Sequence, residues 1–241
     1  MHGDLGWMSC LSKQRLEVIR IYYKLYNIEQ HRILHKIKVW SKRKQRSWDF
    51  KVYKLLSDIS LEPLLDAILS KKLFMIEVRR KIRICDEQVW FTKIWNDNSN
   101  VNGNKLRLYR NFKKHLVPEH YVLNYMPRHL RSYICKLRCG TLPLVIETGR
   151  FNKPPIPLNE KTCPFCYNTV EDEVHFLIDC DIYGDLRLSL FSRATSIETI
   201  FCLKSNLDKF IFQINCNELR LELGGLLYNM IRRRRALLSN V

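Results

Sequence analysis

Residues 163–180 read CPFCYNTVEDEVHFLIDC, and their spacing organises everything around them. The pattern is C-x2-C-x8-H-x4-C, made by Cys163, Cys166, His175 and Cys180. Two cysteines three apart can turn both sulfurs toward one cation from a tight turn. A His one turn into the next element, and a Cys just past its end, can supply the other two corners. Thiolate and imidazole donors in a closed set of four suit structural Zn²⁺. With all four positions filled by protein, no site is left for the water that catalytic zinc activates. The spacing therefore predicts one structural zinc ion and no zinc chemistry. Between the ligands, Thr169 can cap a helix that carries Glu171, Asp172 and Glu173 in its first turn. A C-x-x-C alone would also fit redox chemistry, but such motifs open a helix after a buried strand, which is not the pattern here. Cys135 and Cys139, four apart on an expected helix, could in principle bind metal, although packed thiols are the simpler reading. Cys10, Cys85, Cys202 and Cys216 have no partner at ligand spacing.

Upstream, the periodicity is helical. Leu16, Ile19, Tyr22 and Tyr26 recur at three-to-four spacing behind Ser12, a candidate N-cap; Ile33, Leu34, Ile37 and Trp40 continue the pattern in a second helix. Ser47 is placed to cap a third, with Val52, Leu55, Leu56 and Ile59 on one face, and Pro63 fits the first turn of a fourth. Phe74, Val78, Ile82, Cys85 and Val89 mark a longer helix, and Asn96–Asn104 reads as a linker. Beyond it, Leu106, Tyr109, Phe112 and Leu116 predict an amphipathic helix whose other face carries Arg107, Arg110 and Lys114. A further helix runs from Pro127 to Arg138 and stops at Gly140; residues 141–158, with four prolines, are looped; helices return to the end of the chain. The fold class is mostly α: a bundle-like N-terminal part followed by a small zinc-stapled helical module. The expected segments are 1–98, a basic region with a Pro-containing loop at 99–160, the zinc module at 161–200, and C-terminal helices with a basic tail at 201–241.

The chain has 241 residues, 46% hydrophobic and 27% charged, a globular rather than disordered composition. No run approaches the length of a membrane span, and the N-terminus lacks a signal-peptide pattern, so the protein is expected inside the cell, nuclear or cytoplasmic, and not secreted. Its net charge of +17 is uneven. Residues 1–60 hold 13 basic against 5 acidic residues, residues 101–160 hold 11 against 3, and residues 161–200 reverse the balance with 3 against 7. Clustered positive charge marks a polyanion partner, nucleic acid before a membrane surface. Because the metal segment is itself acidic, phosphate contacts are expected from Lys105, Arg107, Arg110, Lys113, Lys114, Arg131, Lys136, Arg138 and Arg150. Tyr109 and Phe112 lie among them and could stack on unpaired bases, though their spacing with Leu106 and Leu116 favours the core. The run Arg232–Arg235 reads as a solvated tail or an import address, and residues 42–46 likewise.

KLRLYRNFKK at 105–114, KLRCGTLPLVIETGRF at 136–151, Cys163-Pro-Phe-Cys166, Val170–Leu177 through Cys180, and Tyr183-Gly-Asp-Leu-Arg187 together resemble one family. It is the C-terminal region of non-LTR (LINE-type) retrotransposon polyproteins, including their reverse transcriptase zinc-binding element. Gly3–Ser9 and the helices of 22–40 are similar, less specifically, to the segment between polymerase thumb and zinc element. The paired-aspartate polymerase motif does not occur, and neither endonuclease type of that family is visible. The resemblance implies a non-catalytic accessory role: holding RNA or target DNA for target-primed reverse transcription, with a polymerase domain supplied by another chain. The alternatives are a structural remnant or protein-interaction domain with no nucleic-acid function of its own and, behind it, a metal-dependent nuclease, which would need paired carboxylates where Glu119 and Glu147 stand isolated in sequence.

Overall fold

The computed structural model describes residues 2–42, 44–66, 70–95 and 106–239. The expected linker at 96–104 and Lys105 lie outside the described residues. The helices are α1 His2–Leu5, α2 Cys10–Tyr26, α3 Ile33–Lys42, α4 Trp48–Asp58, α5 Pro63–Asp66, α6 Lys71–Trp95, α7 Tyr109–Phe112, α8 His120–Leu123, α9 Arg128–Arg138, α10 Val145–Thr148, α11 Gly184–Ile197, α12 Asn206–Asn215 and α13 Arg220–Ser239. The chain is mostly α, and among the described residues the only β pairing is an isolated antiparallel bridge between Thr162 and Val170. No helix among them is long and apolar enough to cross a membrane.

Two compact units result, one formed by Trp7–Thr92, the other by Gly3–Gly6 with Lys93–Val241. In the first, α2, α4 and α6 bury the positions that the periodicity singled out: Leu16, Ile19 and Tyr22, Val52 and Leu56, and Phe74, Val78 and Ile82. Ser47 caps α4 as expected, accepting from the Phe50 N–H at 3.1 Å. The cap of α2 is Ser9 rather than Ser12. The Ser9 hydroxyl accepts from the Ser12 N–H at 3.0 Å, and the Ser12 hydroxyl is committed to Asp86 of α6 at 2.7 Å.

One helix of this unit departs from its pattern. None of the residues of α3 is buried. It turns His35, Lys38 and Ser41 inward, with the Lys38 ammonium 3.6 Å from the centroid of the Tyr26 ring, and leaves Ile33 72% and Trp40 62% exposed.

In the second unit α9 lies along α13. Gly224 makes this close: a Cβ there would sit 2.9 Å from the Leu130 Cβ, too near for two carbons. Ile134 and Leu137 of α9 join Leu223, Leu227, Phe210, Phe176 and Tyr183 in the buried set. The segments expected at 99–160, 161–200 and 201–241 belong to one unit, stitched by ion pairs from Arg107 to Glu173 and from Glu171 to Arg234. The amphipathic helix expected over 106–116 is a single turn, α7, because the backbone becomes extended at Lys113 and Pro118 follows. Arg107, Arg110 and Lys114 therefore share no helix face. The four-arginine run is not a tail either. It lies inside α13, with Arg234 buried on Glu171 and Arg233 paired with Asp185 at 2.5 Å.

Candidate metal centre

The cluster is assembled from two short pieces of backbone. Thr162 and Val170 pair, the Cys163 N–H donates to the Thr169 carbonyl at 2.9 Å, and the Tyr167 N–H closes the turn on the Cys163 carbonyl at 3.0 Å. Tyr167 takes a left-handed φ of 57°, which lets the chain reverse directly after Cys166. The second piece is a π turn, His175–Asp179, where the Cys180 N–H reaches back five residues to the His175 carbonyl at 2.9 Å. The wider turn brings Cys180 under His175, which an ordinary helix would not do at this spacing.

The four ligand atoms of Cys163, Cys166, His175 and Cys180 all lie within 4.8 Å of one another and could hold one metal ion. The Cys163 and Cys180 sulfurs are 3.8 Å apart, and Cys166 Sγ lies 3.4 Å from His175 Nε2. Cys163, His175 and Cys180 are buried. The other ring nitrogen, His175 Nδ1, lies 2.9 Å from Thr169 Oγ1. With Nδ1 protonated toward that hydroxyl, Nε2 keeps its lone pair for a cation, the arrangement that orients most metal-bound histidines. Thr169 therefore orients the ligand and does not cap a helix. The cap is Asp172, whose carboxylate accepts the His175 N–H at 2.8 Å. Burial pushes the Cys163 thiol up and the Cys180 thiol up to about 12. At Cys166 the upward pull of burial is outweighed by hydrogen bonds, those of the Asn168 and Thr169 backbone among them, and the thiol is lowered. A cation here displaces thiol protons, so occupancy falls as pH falls.

Glu171 and Glu173 flank this site without being surface acids. Glu171 is buried and accepts from the two terminal guanidinium nitrogens of Arg234, at 2.5 and 2.9 Å, and from the Val145 N–H at 2.7 Å. Glu173 is buried against Arg107. The acids of the metal segment thus neutralise basic residues from distant parts of the unit, and counting charge by segment overstates how much of it faces solvent.

The same correction applies to the expected phosphate contacts. Arg138 is 1% exposed: its Nε donates to Asp4 Oδ2 at 3.1 Å, its Nη2 lies 3.0 Å from Glu119 Oε2, and its guanidinium covers the Phe112 ring at 4.6 Å. Lys113 is equally enclosed, held by Glu119 and by the Val117 carbonyl at 2.6 Å. Arg107 is engaged by Glu173 and Arg150 by Glu147, the latter at 3.0 Å. Tyr109 and Phe112 are core residues, and the Tyr109 hydroxyl donates to Asp4 at 2.7 Å, so they cannot stack on bases. Lys114 and Lys136 are exposed, while Arg110 and Arg131 are partly so. Lys105 is outside the described residues.

Two features escaped the sequence reading. Asp4 accepts from Tyr109, Tyr121 and Arg138, and although burial raises its carboxyl, the Arg138 charge and these hydrogen bonds bring it below its ordinary value. Lys161 is fully buried, with Nζ donating to the Ile146 carbonyl at 3.3 Å. The sparse acids of residues 101–160 were the available signal, since Glu119 and Glu147 each bind cations of that block. Comparisons with protein-family models, with curated proteins and with solved structures give no match.

Proposed function

We propose that the chain is a non-catalytic, zinc-stapled nucleic-acid-binding module of the kind its retrotransposon resemblance implies, holding RNA or target DNA for a polymerase domain carried elsewhere. The observation that carries this reading is the closed cluster of three sulfurs and one nitrogen. Four ligands around Zn²⁺ with bonds near ~2.3 Å to sulfur sit roughly 3.8 Å apart in a tetrahedron, and the Cys163–Cys180 separation is 3.8 Å. The set is full, so zinc here acts as a staple. The charge of +17 supports a polyanion partner, and Arg110, Lys114, Arg131 and Lys136 keep the solvent access that phosphate contacts require.

The test couples metal analysis to binding. One zinc per chain is expected, lost in Cys163→Ser together with the tertiary structure of the second unit, since such sites contribute on the order of 10 kcal/mol to folding. The loaded chain should bind single-stranded RNA with an affinity that falls steeply with salt, and neutralising Lys114 and Lys136 should flatten that slope. A folded, zinc-loaded chain that ignores RNA at low salt would overturn the reading.

A second reading, a protein-interaction domain, is favoured by one observation: the outward apolar face of α3. It requires self-association of the isolated chain, relieved when Ile37 and Trp40 are made polar.

A further inference from the structure

A groove of about 810 Å³ runs along one face of α9 in the second unit. Arg128, Ser132, Cys135 and Cys139 follow one another along that face at helical spacing, with Arg131 and Lys136 on its flanks. From 128 to 139 the stripe spans about 16 Å at 1.5 Å per residue. The opposite wall is Leu5, Tyr121 and Val122, and its exposed lining is mostly apolar. The one acid in the lining, Asp4, has its oxygens occupied by the Tyr109 and Tyr121 hydroxyls and by Arg138. No described acid is paired with Arg128, Arg131 or Lys136. The groove thus joins three cations to an apolar floor and offers no unsatisfied negative charge.

A polyanion alone would match the cations and waste the floor, and an apolar peptide would match the floor and leave the cations bare. An unpaired nucleic-acid strand has both halves, phosphates on one edge and flat apolar bases on the other. We propose that single-stranded nucleic acid lies along α9 in this groove, phosphates on Arg128, Arg131 and Lys136, with a base covering Cys135. This deepens the nucleic-acid reading above and rests on it, giving that reading a place and a preference for unpaired strands.

Cys135 supplies the readout. The hydrogen bond from the Cys139 thiol, working against burial, lowers its pKa, and its half-buried sulfur lines the groove, from which an alkylating reagent reaches it. Cys202 is exposed, does not line the groove and serves as the internal control. The experiment is alkylation of the zinc-loaded full chain by iodoacetamide with residue-level mass spectrometry, with and without a short unpaired RNA, the same RNA as a duplex, and heparin. The unpaired RNA is expected to slow modification of Cys135 severalfold and leave Cys202 unchanged, with duplex and heparin protecting much less. The double variant Arg128→Ala, Lys136→Ala should lose that protection and lower the salt slope of binding, by about one unit for each phosphate contact removed.

RNA that binds tightly while Cys135 is alkylated at its free rate overturns the groove and leaves the broader function standing. Absence of binding at low salt overturns both. Equal protection by heparin reduces the site to a plain cation cluster and overturns the single-strand claim.

Discussion

Helices α3 and α9 are nearly the same length, both basic, both amphipathic, and they end up opposite ways round. α9 sinks Ile134, Leu137 and Arg138 into the second unit, an arginine included. α3 buries nothing and turns its isoleucines and tryptophan to solvent. Periodicity predicted both as helices and could not say which face would be covered. What decides is the neighbour. Beside α9 stand Asp4 and Glu119, which supply the charge and hydrogen bonds that let a guanidinium leave water, and α13 with a glycine where Leu130 comes closest. Beside α3 stand the Tyr22 and Tyr26 rings, which attract the Lys38 ammonium.

The contrast can be tested. The largest effect is expected at α9: Arg138→Ala leaves Asp4 buried beside no cation and Glu119 with Lys113 alone, and should cost about 3–5 kcal/mol in urea unfolding of the second unit. A cost below a third of that would mean that the buried charges contribute little and that α9 is held by its apolar contacts alone. The pH limb should be smaller and of opposite sign at two aspartates. Asp4 has a lowered carboxyl in the fold, so its contribution is present above its unfolded value near 3.8 and is lost as pH falls through the folded one. Asp49 of α4 is raised by burial, so protonation favours the folded first unit, and its contribution grows as pH falls. Amide exchange resolved by unit should show acid weakening of the second unit blunted by Asp4→Asn, while Asp49→Asn flattens an opposite trend in the first. The smallest effect belongs to α3: Ile37→Ser should change stability by no more than about 0.5 kcal/mol, as for exposed positions generally. A larger loss would show that the outward face is covered in solution, by a second copy or a partner.

The metal ligands were legible because their spacing is itself the geometry: the tight turn at Cys163 and Cys166 and the places of His175 and Cys180 around the next element follow from it, whereas the π turn and the Asp172 cap do not. Most helices were legible for the same local reason, as at Ser47 and Pro63. The phosphate-contact set was not. Arg107 and Arg138 look like surface cations along the chain, and the acids that claim them, Glu173 and Asp4, lie 66 and 134 positions away. Long-range ion pairs leave no periodic trace. The role given to Thr169 failed more subtly, since a residue apt for capping a helix is equally apt for bonding an imidazole.

The bond between Asp4 and Arg138 also has a clock in it. Chains emerge from the ribosome at roughly 5–20 residues per second, so Arg138, 134 residues later, follows Asp4 by about 7 to 27 seconds. Once Trp95 has emerged, for about the last third of that interval, the α2–α6 unit is complete and free to fold, while the strip before it waits as an unmatched acid. The second unit therefore cannot close until the first has been made, and the stretch from Gly3 to Gly6 works as a latch, issued before the first unit and matched only after it.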